Sequence, residues 1–292
     1  MITTDILRQV LTDNRNLVAQ KKVFPRDIEI GELSRCVLVG VRRSGKSYLL
    51  FSKIQSLLAS GHSWDKVLYV NFEDERLMGF DVADFNKLLE VQAELSGKDS
   101  LPALFLDEVQ LIDGWEKFAR RMADAQAEIY ITGSNAKMLS IQIAAALGGR
   151  FLTVNVFPLN FSEYLKAKGV AVRKDVWSST TGKARILREF AEFFEYGGLP
   201  ECLQFSNKLE YINSIFQKIY LGDIIVRNKV TNALPLRILL KKVAESIGQP
   251  VSFTRLTNVI QSTGVKLAKN TCISYMQYAC EACLVLPISN IV

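Results

Sequence analysis

The sequence predicts an α/β protein whose N-terminal half forms a doubly wound sheet of five parallel strands. Three observations carry this prediction. Short apolar runs alternate with segments of helical periodicity between residues 31 and 158, a glycine-containing loop follows the first run, and two carboxylates close the third. Strands alternating with helices favour a parallel sheet, whose ligands bind at the carboxyl ends of the strands.

The five strands and their connecting helices are predicted from the same periodicity. The strands are expected at Cys36–Val39, Lys66–Phe72, Leu101–Leu106, Glu128–Thr132 and Phe151–Phe157. Leu50, Ile54 and Leu57 fall at helical spacing after the first strand, and Gly61 ends that helix. Asp81 is predicted to cap the helix that precedes the third strand, since Asp is a preferred N-cap residue.

A complete phosphate-binding loop, of pattern G-x-x-x-x-G-K-[ST], joins the first strand to its helix. It consists of Gly40, Val41, Arg42, Arg43, Ser44, Gly45, Lys46 and Ser47. Glycines let successive backbone N–H groups converge on phosphate oxygens at the positive end of the following helix. Lys46 is expected to reach the β- and γ-phosphates of ATP, and the Ser47 hydroxyl to ligate Mg²⁺. Arg42 and Arg43 occupy variable positions, where they can meet phosphate, a partner or solvent.

The third strand delivers the second chemical motif, the pair Asp107-Glu108. A buried parallel strand that ends in carboxylates can bring a ligand to Mg²⁺, so Asp107 is predicted to hold the ion directly or through water. Glu108 follows by one residue and is predicted to orient and deprotonate the attacking water. The alternative is a strand that merely ends in a solvated acidic turn.

Three further residues are candidates for catalytic roles. Ser134 or Asn135, at the tip of the fourth strand, can hydrogen-bond the γ-phosphate or the lytic water, although both residue types are also common in turns. Arg150 precedes the fifth strand and is a candidate arginine finger toward a neighbouring subunit of a homo-oligomer.

The chain is predicted to divide into four parts, because the strand pattern stops at Pro158. A helical lead-in covers residues 1–30 and the nucleotide domain 31–158. An all-helical lid covers 159–235, interrupted by the forced turn Gly197-Gly198-Leu199-Pro200. Residues 236–292 read as three helices, the second capped by Ser252, and a strand starting within 284–288. This is the winged-helix plan, whose third helix would read a major groove, unless the module serves protein contact instead.

Charge is distributed unevenly along the chain. Residues 206–292 carry ten Lys or Arg and four Asp or Glu, which accounts for the whole net charge of +6. A basic C-terminal region points to an anionic partner such as nucleic acid, with an ordinary solvated basic surface as the alternative. The five cysteines are odd in number and scattered, which argues against a disulfide framework. With no apolar stretch of membrane-spanning length and no signal-peptide pattern, we expect a cytoplasmic protein.

The chain resembles a group of bacterial and archaeal AAA+-type ATPases whose P-loop domain precedes a helical and winged-helix region of unassigned function. The resemblance covers nearly the whole chain and is carried by the segments GVRRSGKS, LFLDEVQ, ITGSN, LGGR followed by FPLNFSEYL, and YGGLPE. It implies a sheet of the AAA+/ASCE type, with the site residues named above intact. Members of the group usually continue into a nuclease-like α/β domain, whereas this sequence stops at Val292. We therefore expect either a truncated form or a protein without that activity.

The sequence thus predicts an ATP-binding protein that hydrolyses ATP with Mg²⁺ and couples nucleotide state to the C-terminal module. The alternative is a nucleotide-dependent switch protein that binds DNA or RNA with negligible hydrolysis. A kinase is disfavoured, because a base carboxylate directly after the Mg²⁺ aspartate suits water better than a bulky phosphate acceptor.

Overall fold

A computed structural model of the chain describes residues 2–28, 30, 34–97, 100–133, 145–170 and 179–288. Contacts divide it into two units, Met1–Lys208 and Leu209–Val292. The division of the chain into four parts stays a prediction. Among the described residues, no helix combines the length and the apolar character needed to span a bilayer.

Within the described residues, the first unit is built on a five-stranded sheet in which every pairing is parallel. The strands are β1 Arg35–Val39, β2 Val67–Asn71, β3 Ala103–Asp107, β4 Ile129–Gly133 and β5 Leu152–Asn155. Their order is β2-β3-β4-β1-β5, so β4 lies between the strand that leads into the P-loop and the strand that ends in Asp107. The predicted α/β fold is confirmed, and each strand lies within two or three residues of its predicted bounds.

Helices cover both faces of this sheet. They are α1 Thr4–Gln20, α2 Lys46–Ala59, α3 Asp84–Ser96 and α4 Trp115–Asp124. Because side chains alternate along a strand, β1 sends Val37 and Val39 into the core beneath α1, α3 and α4, and Cys36 and Leu38 into the core beneath α2. Both faces of the strand are therefore buried, which explains why its sequence is continuously apolar.

The predicted N-cap of α3 is wrong by two residues. The N-cap of α3 is Ala83 and not Asp81, whose carboxylate accepts a hydrogen bond from the Ala83 N–H in the turn that precedes the helix. The helix begins at Asp84 and ends at Gly97, whose positive φ of 63° provides the left-handed C-cap that glycine favours.

After the sheet, the first unit continues in helices α5 Phe161–Ala167 and α6 Thr180–Tyr196 and a 3₁₀ turn, Pro200–Gln204. A capping box opens α5: the Asn160 side chain accepts from the Glu163 N–H, and the Glu163 carboxylate accepts from the Asn160 N–H. The Gly197-Gly198 turn packs on the segment before α5. The Leu159 N–H donates to the Gly198 carbonyl at 2.7 Å, and a Cβ on Gly198 would lie 2.0 Å from the Leu159 oxygen.

The described part of the second unit is helical. It contains most of α7 Lys208–Lys218, a π-helical segment Ile219–Val226, and helices α8 Ala233–Glu245, α9 Phe253–Gln261 and α10 Lys269–Glu281. The last three pack on one another around Leu236, Leu239, Leu256, Ile260, Cys272 and Ala279, all of them buried. Ser252 caps α9 as predicted, by accepting from the Arg255 N–H.

The predicted wing strand is not formed in residues 284–288. Leu286 and Ile288 are 61% and 97% exposed, so this apolar run has no core to cover it. Pro287 also lacks the N–H that a strand ladder needs. Three packed helices are thus observed, and the winged-helix module remains a prediction.

None of the five cysteines forms a disulfide. Cys36, Cys202 and Cys272 are buried, whereas Cys280 and Cys283 are half-buried. Burial raises the pKa of the Cys36 thiol to about 12.

Candidate functional site

The loop from Gly40 to Ser47 has the backbone that phosphate binding requires. A Cβ on Gly40 would lie 2.1 Å from the Val156 carbonyl oxygen, so only glycine fits where the chain leaves β1. Gly45 is the N-cap of α2, with a φ of 98° that L side chains rarely adopt. The Ser44 hydroxyl is buried with no hydrogen-bond partner among the described residues, and such an orphaned group fits a ligand atom at this loop.

Lys46 is the first residue of α2, and its side chain is buried. Its ammonium donates to the carbonyls of Gly40 and Val41 at 3.0 and 3.1 Å. The same nitrogen lies 4.0 Å from Oε1 of Glu108. The loop lysine and the second carboxylate of β3 therefore share one cleft at the carboxyl edge of the sheet.

Asp107 is fully buried at the end of β3, and three hydroxyl groups surround its carboxylate. The Tyr69 hydroxyl donates to Oδ2 of Asp107 at 2.8 Å, and the Thr132 hydroxyl donates to Oδ1. The Ser47 side chain also hydrogen-bonds to this carboxylate. Burial raises the pKa of Asp107, and the charge of Glu108 adds to this, while the three hydroxyl donors oppose it. Tyr69 keeps its proton, because burial and the neighbouring Asp107 raise its pKa well above the usual value.

This donor set fits a divalent cation. Ser47 from the P-loop and Asp107 from β3 are oxygen ligands that contact one another, and oxygen ligands are the ones Mg²⁺ prefers. A carboxylate buried among neutral hydroxyls also gains from a nearby positive charge.

Glu108 has an unusual backbone conformation for a residue other than glycine. Its φ is 53° and its ψ 39°, in the left-handed region, and its carboxylate lies 4.0 Å from the Lys46 ammonium. The Thr132 hydroxyl accepts the Glu108 N–H at 2.9 Å, and Gln110 donates to the carboxylate at 2.5 Å. Backbone strain of this kind persists where the surrounding structure fixes it, often at functional sites.

The two arginines of the loop meet carboxylates of other segments. Arg42 pairs with Glu73 after β2 at 3.4 Å. Arg43, with a φ of 61°, pairs with Glu201 in the turn that follows Gly197-Gly198. The Pro200 ring lies beside Gly45, so the YGGLPE segment borders the P-loop.

Arg150, the one remaining predicted residue that the structure describes, lies away from this cleft. Arg150 sits at the amino end of β5, at the sheet edge opposite the P-loop, where it pairs with Asp124 at 2.6 Å. Any role as a finger would therefore be played toward another subunit and stays a prediction. Ser134 and Asn135 lie outside the described residues.

Sequence reasoning missed four residues that complete the site. Tyr69 and Thr132 lie on β2 and β4, and the only available signal was a hydroxyl-bearing side chain within each apolar strand. Arg26 and Glu163 form a buried ion pair at 2.8 Å beside the P-loop. The Asn160–Glu163 spacing was readable as a capping box, but its link to Arg26 was not.

A five-stranded parallel sheet with a phosphate-binding loop at the carboxyl end of a central strand defines the P-loop class of α/β proteins. Within that class, residues 34–165 match the model of the AAA_14 family, described as an AAA domain. This match supports an AAA+-type ATPase domain in that segment.

Relatives of similar sequence include two uncharacterized proteins. The uncharacterized protein MJ1544 of Methanocaldococcus jannaschii is 34% identical over 296 residues, which cover 99% of this chain and 65% of that protein. An uncharacterized protein of Haemophilus influenzae is 32% identical over 82% of this chain and 58% of its own length. The chain thus spans about three fifths of the length of these relatives.

Solved structures with some likeness to the chain were also found. The Walker-type ATPase PABY2304 of Pyrococcus abyssi matches with a TM-score of 0.45 and 12% identity, over 97% of this chain and 90% of the other. The Orc1 protein of Aeropyrum pernix, in complex with DNA, matches with a TM-score of 0.35 and 15% identity, over 95% and 82%.

Proposed function

We propose that the chain binds ATP with Mg²⁺ and hydrolyses it to ADP and phosphate. The observation that carries the proposal is the convergence of Lys46, Ser47, Asp107 and Glu108 in one cleft, with Lys46 4.0 Å from Glu108 and Ser47 in contact with Asp107. Two sequence motifs separated by sixty residues meet where the fold class places its ligands.

Each residue has a distinct role in this proposal. The backbone N–H groups of the loop would cradle the phosphates, and Lys46 would exchange its present carbonyl acceptors for β- and γ-phosphate oxygens. Ser47 and Asp107 would hold Mg²⁺, which supplies charge neutralisation at the phosphate oxygens. Glu108, fixed by Gln110 and Thr132, would orient the attacking water and accept its proton.

The test is a pair of substitutions that separates binding from turnover. Lys46→Ala should abolish ATP binding in a calorimetric titration. Glu108→Gln should leave the Kd for ATP within about threefold, yet lower kcat for phosphate release by roughly 10²- to 10⁴-fold, the usual contribution of a general base.

Matched controls change the same residue types away from the cleft. Lys21→Ala and Glu90→Gln alter exposed side chains and should leave both measurements unchanged. Turnover at the wild-type rate by the Glu108→Gln protein would contradict the role of Glu108 as the base. ATP binding by the Lys46→Ala protein would contradict the proposal that the P-loop is the ATP site.

The basic charge of residues 206–292 favours a second candidate, a nucleic-acid-binding switch with negligible hydrolysis. Duplex DNA affinity would be measured against salt concentration, with and without ATP. The logarithm of the association constant should fall with the logarithm of salt concentration, with a slope of about −0.9 per phosphate contact. A slope that changes when ATP is added supports the switch. Affinity too weak to measure at low salt rules it out.

A further inference from the structure

A buried guanidinium lies directly behind the phosphate-binding loop. Arg26 belongs to the segment between α1 and β1, and its side chain is only 8% exposed. It donates hydrogen bonds to three different segments: Nε to the Glu163 carboxylate at 2.8 Å, Nη1 to the Ser44 carbonyl at 3.0 Å, and Nη2 to the Phe157 carbonyl at 2.8 Å.

The contact with the loop is close to the residues that define it. Ser44 and Gly45 immediately precede Lys46, and a Cβ on Gly45 would lie 3.1 Å from Nη1 of Arg26. The guanidinium thus holds the Ser44 carbonyl. This carbonyl lies directly before Gly45, where the backbone adopts the left-handed conformation.

Glu163 holds the guanidinium in place. Its side chain is 3% exposed, and the Oε1 that accepts from Arg26 also accepts the Asp27 N–H at 2.7 Å. Its other oxygen caps α5 through the Asn160 N–H. A positive charge beside the positive end of α2 is unfavourable by itself, so the partner carboxylate is what makes the placement tolerable.

We propose that Arg26 is a positioning residue for nucleotide binding: by holding the Ser44 carbonyl, it keeps the P-loop in the conformation that accepts phosphates, and Glu163 orients it. The proposal rests on the proposed nucleotide-binding function. Only a planar fork can serve Glu163, Ser44 and Phe157 at once, since a lysine ammonium is a compact point charge.

The test compares Arg26→Lys and Arg26→Met with wild type. Supporting groups that orient a site without touching its ligand typically change affinity by about 10- to 100-fold when removed. We therefore expect the Kd for ATP, titrated with Mg²⁺ present, to rise at least tenfold in both variants. Arg26→Lys, which keeps the charge next to Glu163, should retain a Tm close to that of wild type.

A second measurement needs no nucleotide. Amide exchange of residues 41–47 in the nucleotide-free protein should be faster in Arg26→Lys than in wild type, since the loop has lost its tether. Lys166→Met is the matched control, because the exposed ion pair of Lys166 with Asp27 lies next to the same cluster and is not part of the contact between Arg26 and Ser44. It should leave both affinity and loop exchange within twofold.

The outcomes are distinct. Wild-type protein that binds no ATP overturns the proposed function. Wild-type protein that binds ATP while Arg26→Lys binds it within twofold, with unchanged loop exchange, overturns the positioning role and leaves the function standing. If Arg26→Met does not fold, Arg26→Lys and Glu163→Gln decide the question by the same two readouts.

Discussion

At the residue scale, Thr132 connects the two carboxylates of the site. Its hydroxyl donates to Asp107 and accepts the Glu108 N–H, so one small side chain fixes both the proposed metal ligand and the proposed base. Glu108 holds a left-handed backbone conformation that is unfavourable for a residue with a Cβ. The hydroxyl of Thr132 is therefore expected to matter for geometry as well as for stability.

Thr132→Val keeps the shape of the side chain and removes the hydroxyl. The buried Glu108 N–H then lacks its acceptor, which typically costs about 1–3 kcal/mol in the free energy of unfolding. We also expect kcat for ATP hydrolysis to fall at least tenfold, about what 1.4 kcal/mol of lost transition-state stabilisation would give. Denaturant melts and phosphate-release assays measure the two effects. Thr132→Ser keeps the hydroxyl and should restore turnover, and equal turnover in Val and Ser variants would contradict this role.

Glu163 determines the direction in which the stability of the fold changes with pH. Burial alone would raise its pKa, but the hydrogen bonds from Arg26 and from the N–H groups of Asn160 and Asp27 outweigh it, and the pKa lies below the usual value of 4.5. A depressed carboxyl pKa contributes stability that is present above pH 4.5 and is lost as the pH falls through the folded-state value.

Wild type and Glu163→Gln should accordingly differ in stability at neutral pH and converge in acid. Removing one partner of a buried ion pair leaves Arg26 without its carboxylate, which costs about 3 kcal/mol at pH 7. Arg26 pairs with Glu163 directly, and Asp27, which donates its N–H to Glu163, pairs with Lys166. Urea melts between pH 7 and pH 3 measure the gap, and a gap that stays constant below pH 4.5 contradicts the assignment.

At the element scale, the Gly197-Gly198 turn brings the chain after α6 back to the P-loop. Gly198 contacts the backbone of Leu159 directly, and Glu201 then reaches Arg43. The turn is therefore a structural requirement of the nucleotide side of the molecule, beyond being a break between helices.

Gly198→Ala tests that requirement, in comparison with the same substitution at a glycine that has room for a Cβ. Its Cβ would lie 2.0 Å from the Leu159 carbonyl oxygen, so the backbone must shift, and overpacking of this kind costs about 1–3 kcal/mol or more. Gly222→Ala is the matched control, because a Cβ there meets nothing within 4 Å and neither glycine has a positive φ. Scanning calorimetry should show a lowered Tm for Gly198→Ala alone, and equal values would contradict the packing argument.

Local patterns predicted the sheet and the two motifs well, and long-range polar contacts poorly. Alternating apolar runs predicted each strand, since burial on both faces leaves a signal within a few residues. The pairings of Arg26 with Glu163 and of Arg43 with Glu201 join residues 137 and 158 positions apart, and no local pattern encodes which distant side chains meet. Residues 284–288 form an apolar run but no strand. Periodicity alone does not distinguish an exposed apolar run from a strand that is buried in a core.

At the scale of the whole molecule, the contacts divide the chain into one unit with the P-loop and one with the basic helices. A ligand that binds only the folded state stabilises it by about 2.7 kcal/mol at a hundred times its Kd. The first unit is therefore expected to gain roughly 5–10 °C in Tm with saturating ATP and Mg²⁺. Scanning calorimetry with and without ATP measures this gain in Tm. Lys46→Ala should show no change in Tm on addition of ATP.

The second unit's transition reports whether nucleotide state is coupled to it. Leu239 is fully buried in α8, so Leu239→Ala should lower the stability of that unit by about 2–5 kcal/mol and identify its transition. If nucleotide state is coupled to the C-terminal module, as the sequence predicts, ATP raises both transitions. A shift confined to the first unit would leave ATP binding intact and contradict the coupling.

The distribution of buried cysteines offers a direct test of that coupling. With Cys36, Cys202 and Cys272 enclosed, maleimide dyes should react first at Cys280 and Cys283, both in the second unit, without any engineered attachment point. A fluorescent ATP analogue seated at the P-loop would supply the other half of an energy-transfer pair. Without engineered cysteines, energy transfer would then report whether the distance between the two units changes with nucleotide state.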